Sequence, residues 1–426
     1  MKSSLSKCIV SIICCLLVVF CQVSLASSGF HAHLVSGSVG QTSNEDLPVL
    51  DNRQPGDEAR YSVAILPQME LLTAVQTQTT WMDRMGPGQG DGNDYFQAVK
   101  KFMVKYKDHE AVKVCQKLLN SGFSYDAPPT FILHLGPLPD LDLVHEYSDY
   151  LIRRAGGREK LEEFRLALKA FAQESEFLEF LREWQPQMED WAAEARGTVD
   201  LEKVVTWWEE FAGFSAGDEY HIILCPSAFG GSYGPRVWDE TKTQWVSYNV
   251  ACAQPGKGAP NFGGYLERLS IHEIGHSFIN PSFEPFEKDL GRIYHLYNKV
   301  ESTMKKQAYG TVGTFLNEQV LRAAHAIAEG DMYGPTFRAG SIKRGERLGF
   351  HWTSFVVEQL EDYLSGRDQY PKFTDFAPVL LERLAGEVSE VHYQLSVTRA
   401  VLWSVFGLGA VAVVLIWRRR KVSNPC

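Results

Sequence analysis

His272-Glu273-Ile274-Gly275-His276 commits its stretch of chain to a helix. Residues four apart share one face of an α-helix. Two imidazoles one turn apart there can grip a single zinc ion, with Glu273 beside them to take a proton from water that the metal activates. This is the H-E-x-x-H pattern of zinc hydrolases, most often peptidases. With 12 histidines in 426 residues, chance supplies roughly 0.02 such matches in a chain of this length. The apolar spacing predicts a helix from Tyr265 to Phe278, stopped by Asn280-Pro281.

A catalytic zinc takes three protein ligands and keeps one position open. The metzincin extension requires Gly and His where this chain has Ile279 and Ser282, so that solution is excluded. The gluzincin solution is a glutamate on a later helix, often in an Asn-Glu pair. Leu316-Asn317-Glu318-Gln319-Val320-Leu321-Arg322-Ala323-Ala324-His325 fits, with Glu318 as the ligand. Glu284, Glu287 and Asp331 are the competing carboxylates. Glu318, Arg322 and His325 fall at i, i+4 and i+7 on one helical face. Arg322 can orient the ligand carboxylate, or form an ordinary surface ion pair. His325, Tyr333 and Tyr370 are the candidates to stabilise the oxyanion of a tetrahedral intermediate.

The surrounding pattern is α+β. An apolar run, Tyr61 to Leu66, opens the fold, and Tyr95–Leu119, Glu159–Ala195 and Leu201–Phe211 have helical spacing. After Ala216-Gly217-Asp218 the texture changes: Tyr220–Leu224 and Gln244–Ala253 read as strands, separated by a Gly230–Gly234 turn. The expected fold is a zincin-like metallopeptidase domain, mostly α with a small mixed sheet. It spans residues 60–390, with a helical part at 60–216 and a sheet and active-site part at 217–390. The segment near Tyr220–Tyr233 is expected to wall the cleft and receive an extended substrate. Only Cys115, Cys225 and Cys252 lie in this body. A Cys225–Cys252 disulfide between neighbouring strands is one reading, and three buried thiols the other.

The chain ends suggest a topology. Residues 1–26 resemble a signal peptide, with Lys2 and Lys7 before the apolar run Cys8–Val23 and small residues ahead of Ser27. Residues 27–59 read as a flexible leader. Ala400–Trp417 is an uncharged run long enough for one transmembrane helix, and Arg418-Arg419-Arg420-Lys421 begins a tail at 418–426. Positive charge after a span holds that side in the cytoplasm. The expectation is a single-pass membrane protein with an extracytoplasmic body, periplasmic or cell-surface, and a cytoplasmic C-terminus. The formal charge of −10, more negative still without the basic ends, excludes nucleic acid as a natural partner. Nothing in the chain specifies an oligomeric state.

His272–Pro281, Asn317-Glu318 and Arg322-Ala323, with Glu70-Leu71-Leu72, Tyr95-Phe96, His109–Val112, Ser124–Pro128, Tyr220–Leu224, Gly230-Gly231 and Tyr370–Pro378, resemble a bacterial domain family of unknown function placed among the gluzincin-type peptidases. The likeness covers about residues 60–385, and Ala377 departs from it where a bulkier residue is usual. It implies one zincin-type domain with one Zn²⁺ on His272, His276 and Glu318, and Glu273 as the base. The functional expectation is therefore a membrane-anchored zinc metallopeptidase acting on a peptide or protein substrate. A catalytically silent binding ectodomain and a zinc amidase are the alternatives.

Overall fold

The computed structural model describes residues 60–84, 92–227 and 231–387. Four strands form one mixed sheet: β1 (Tyr61–Ala64), β2 (Glu219–Cys225), β3 (Arg236–Asp239) and β4 (Gln244–Cys252), in the order β1-β2-β4-β3. β1, β2 and β4 run parallel, and β3 pairs antiparallel with β4 at the edge. β2 is flanked on both sides, so Tyr220 to Cys225 are all buried, as a continuous apolar run in a central parallel strand should be. Asp239 closes the β3–β4 hairpin: its carboxylate accepts from the backbone N–H groups of Thr241 (2.9 Å) and Lys242 (3.2 Å).

A parallel pair needs a crossover connection, and the one between β1 and β2 holds the helical part of the chain. It includes α1 (Pro67–Gln76), α2 (Asp94–Met103), α3 (Glu110–Asn120), α4 (Arg158–Glu174), α5 (Phe177–Arg196) and α6 (Leu201–Ala212). The helical runs read from sequence are present but divided. Tyr95–Leu119 splits at the turn before Glu110, and Glu159–Ala195 splits at Ser175-Glu176. Phe164, Leu168, Phe171, Phe177, Phe180 and Leu181 are core residues.

After the sheet come α7 (Leu266–Phe283), α8 (Tyr294–Lys306), α9 (Val312–Tyr333), α10 (Pro335–Arg347), α11 (Thr353–Ser365) and α12 (Phe373–Gly386). α7 lies on β4 and is flanked by α6 and α9. Asn249 of β4 donates to Ser270 Oγ at 2.8 Å, and Trp208 of α6 donates its indole N–H to the Ile271 carbonyl at 2.8 Å. Gly275 explains the close approach: a Cβ there would overlap both the Trp208 ring and the Leu321 side chain of α9.

Three expectations are corrected. α7 does not stop at Asn280-Pro281 but continues to Phe283, then tightens into a 3₁₀ stretch, Glu284–Ile293. Proline removes a single N–H donor, and the turn around it persists, with Ser282 Oγ donating to the Phe278 carbonyl at 2.7 Å. Tyr220–Leu224 is an interior strand; the edges of the sheet are β1 and β3, and the sequence reading did not find β3. The described residues form an α+β fold, mostly helical with a small mixed sheet, and the membrane helix expected with it is not among them. No helix among the described residues is long and apolar enough to cross a membrane; the longest, α5 and α9, are interrupted by charged side chains. The segments read as signal, leader, span and tail (1–26, 27–59, 400–417 and 418–426) lie outside the described residues.

Candidate metal centre

α7 presents His272 and His276 one turn apart, with ring centroids 5.3 Å from each other. α9 faces them, its start fixed by Thr311, whose side chain accepts from the Thr314 N–H at 3.1 Å. That start sets Glu318 two turns in. Glu318 Oε1 lies 3.3 Å from His276 Nε2, and Oε2 lies 3.7 Å from His272 Nε2. The donor atoms of the three residues all lie within 4.8 Å of one another, the one such group among the described residues. Ligand atoms around a tetrahedral zinc are about 3.4 Å apart, so the group needs only a small contraction to hold one. Two imidazoles and a carboxylate are also the donor set that suits zinc.

Neighbours fix these three side chains. Asn280 Oδ1 is 3.2 Å from His276 Nδ1, which turns Nε2 toward Glu318. Arg322, one turn along α9, brings Nη2 to 3.0 Å from Glu318 Oε2. Its guanidinium lies 4.6 Å above the Phe350 ring and donates to the Tyr309 hydroxyl at 3.3 Å. Arg322 thus holds the carboxylate as the α9 face predicts.

The electrostatics follow from burial and from this one carboxylate. Burial pushes His272 down to about 4, so its ring is neutral at neutral pH. Burial also acts to lower His276, but its contacts with Glu318 outweigh it and raise the group to about 9. Burial opposes ionisation of Glu318, yet Arg322 and the two histidines hold it well below the usual carboxylate range. Glu273 is raised to about 7, chiefly by burial. Glu318 therefore draws positive charge to the point where the three donors converge.

A cavity of about 410 Å³ opens onto this centre, reaching His272 and Glu273 on one side and Tyr309, Arg322 and His325 on the other. The segment before β3 runs over α7, where a Cβ on Gly234 would overlap the Glu273 backbone. Ser232 from that segment, and Cys252–Pro255 where the chain leaves β4, add to the wall.

Not every predicted residue arrives. His325 lines the cavity, its ring centroid 5.6 Å from that of His272, but its Nε2 is turned to Glu329 Oε1 at 3.1 Å. Tyr333 donates to Glu267 and Tyr370 accepts from Gln369 at 2.8 Å; neither lines the cavity, which removes both as oxyanion donors. Asp331 accepts from Trp207 at 3.0 Å and Glu284 sits 3.7 Å from Arg236, while Glu287 lies in the 3₁₀ stretch; none joins the metal group. Cys225 and Cys252 are register partners on β2 and β4, as the disulfide reading requires, but both are free thiols. The sequence reading missed Tyr309, Glu329, Arg268 and Arg344. Only Glu329 carried a signal, as the next position on the Glu318–Arg322–His325 face.

The fold and centre define a mostly helical α+β domain with a His₂-carboxylate cluster shared by two packed helices. The chain belongs to the family described as domain of unknown function DUF4932, whose model matches residues 62–382. No curated protein and no solved structure matches it.

Proposed function

We propose that this chain is a zinc-dependent peptidase of the gluzincin type, with His272, His276 and Glu318 as the metal ligands. The observation that carries this reading is the convergence of those three donors within 4.8 Å, beside a buried glutamate at the wall of a cavity. A zinc ion there supplies Lewis acidity, polarising the scissile carbonyl and activating water.

The protein's own groups do the rest. Glu273 lines the cavity and accepts a proton as water adds to the carbonyl carbon. It returns that proton to the amine as the C–N bond breaks. Arg322 keeps Glu318 ionised and oriented, and the Asn280 amide oxygen orients the His276 ring. Gly231 and Ser232, in the segment that leads into the edge strand β3, line the cavity, and an extended peptide can align along such a segment by backbone hydrogen bonds.

The test is Glu273→Ala assayed against a peptide library. The variant is expected to retain zinc while turnover falls by roughly 10³-fold or more. Cleavage by the variant at the rate of the unmodified chain would sink the mechanism.

A further inference from the structure

Beyond the metal ligands, the same cavity has a second charged layer. Glu329 of α9 has no solvent exposure. Its Oε1 accepts from Arg268 of α7 and lies 3.1 Å from His325 Nε2, while Oε2 accepts from Ser341 of α10. Both oxygens are thus committed. Ser341 Oγ in turn accepts from Arg344 Nη2 at 3.2 Å. Arg344 lines the cavity, and no carboxylate among the described residues pairs with it.

The balance of charge is unusual for this chain. The whole sequence is acidic, at −10, yet the cavity wall carries Arg268, Arg322 and Arg344 against Glu273 and Glu329. Arg322 answers Glu318 and Arg268 answers Glu329, while Glu273 and Arg344 face the cavity with no ion pair to each other or to another side chain among the described residues, so the Arg344 guanidinium has no paired carboxylate.

We infer that Arg344, steadied by Ser341 over the Arg268–Glu329 pair, is an anion-accepting subsite that selects peptides bearing a carboxylate near the cleaved bond. This rests on the peptidase reading of the same cavity. The chemistry required is a planar carboxylate, which a guanidinium binds through paired N–H donors. An Asp or Glu side chain and a free C-terminal carboxylate both supply it. The layer lies one side chain beyond His272, through His325. That is on the order of 10 Å, or two to three residues of extended peptide at about 3.3 Å each.

The experiment uses the full chain carrying Glu273→Ala, so that bound peptides stay intact. Fluorescent peptides that differ only in Glu versus Gln, each made as C-terminal acid and amide, are titrated against it. The carboxylate-bearing peptides are expected to bind about tenfold more tightly. Arg344→Gln should remove that preference, and Arg344→Glu should shift it toward Lys-containing peptides. The acid–amide pairs tell a terminal carboxylate from a side chain. Equal binding of all four peptides, or a preference that survives Arg344→Gln, overturns the subsite. Parallel turnover with Glu273 intact separates the two ideas. Cleavage that ignores peptide charge removes the subsite and keeps the peptidase. Binding that depends on Arg344 without any cleavage removes the peptidase and keeps the subsite.

Discussion

Glu329 is ionised at zero exposure because the Arg268 guanidinium, the His325 ring and the Ser341 hydroxyl surround it. Burial acts to raise its pKa, but His325, Arg268 and Ser341 bring it down to about 2. A carboxylate whose folded-state pKa lies below its unfolded value stabilises the fold fully above the unfolded value, near 4.5. That stabilisation is lost as pH falls toward 2. The unmodified protein should therefore lose on the order of 2 kcal/mol through this group between those limits. Glu329→Gln should flatten that part of the profile, measured by chemical denaturation at stepped pH; an unchanged slope contradicts the assignment. At this scale the sequence was legible where chemistry is local. His272, Glu273 and His276 are set by one helical turn, and Glu318 by an Asn-Glu pair on a helix that also bears Arg322. Tyr309 and Arg344 were not legible, because the loop before α9 and the turn into α10 bring them to the cavity. No spacing along the chain encodes that.

Among elements, the decisive contact is α7 between α6 and α9. His272 and His276 belong to one helix and Glu318 to another, so the centre exists only while those two keep their separation. Gly275 sets it, since Trp208 and Leu321 occupy the space its side chain would fill. Gly275→Ala should cost about 1–3 kcal/mol through overpacking, lower the melting temperature and weaken zinc binding together. Normal stability with normal zinc affinity would contradict this packing. α7 was legible from its motif and periodicity, although its proline misled the placement of its end. β3 was not: it has four residues, Trp238 stays exposed and Val237 alone is a buried apolar side chain. So short a segment leaves too little alternation to recognise. β2 was legible as a strand but not as an interior one, because pairing on both sides is decided by β1, some 155 residues earlier in the chain.

At the scale of the whole molecule, a helical crossover separates β1 from β2, and the helices that carry His272, His276 and Glu318 follow the sheet. The cavity sits where the chain leaves the carboxyl end of β4, a common location for ligands in α/β sheets. The DUF4932 match, 62–382, spans both parts. The family model thus covers the crossover helices as well as the two helices that carry His272, His276 and Glu318. The α+β character was legible from the change in texture near residue 217. The membrane topology read from the two ends concerns residues outside those described and has no counterpart in this body. The central claim is that side chains from two helices, 42 residues apart in sequence between His276 and Glu318, hold one metal ion. Zinc titration against a competing chelator tests it most directly, comparing the unmodified chain with Glu318→Gln and Glu284→Gln. The account predicts one zinc per chain, a loss of affinity of at least about 100-fold in Glu318→Gln, and no change in Glu284→Gln. Zinc bound by Glu318→Gln as tightly as by the unmodified chain would contradict it.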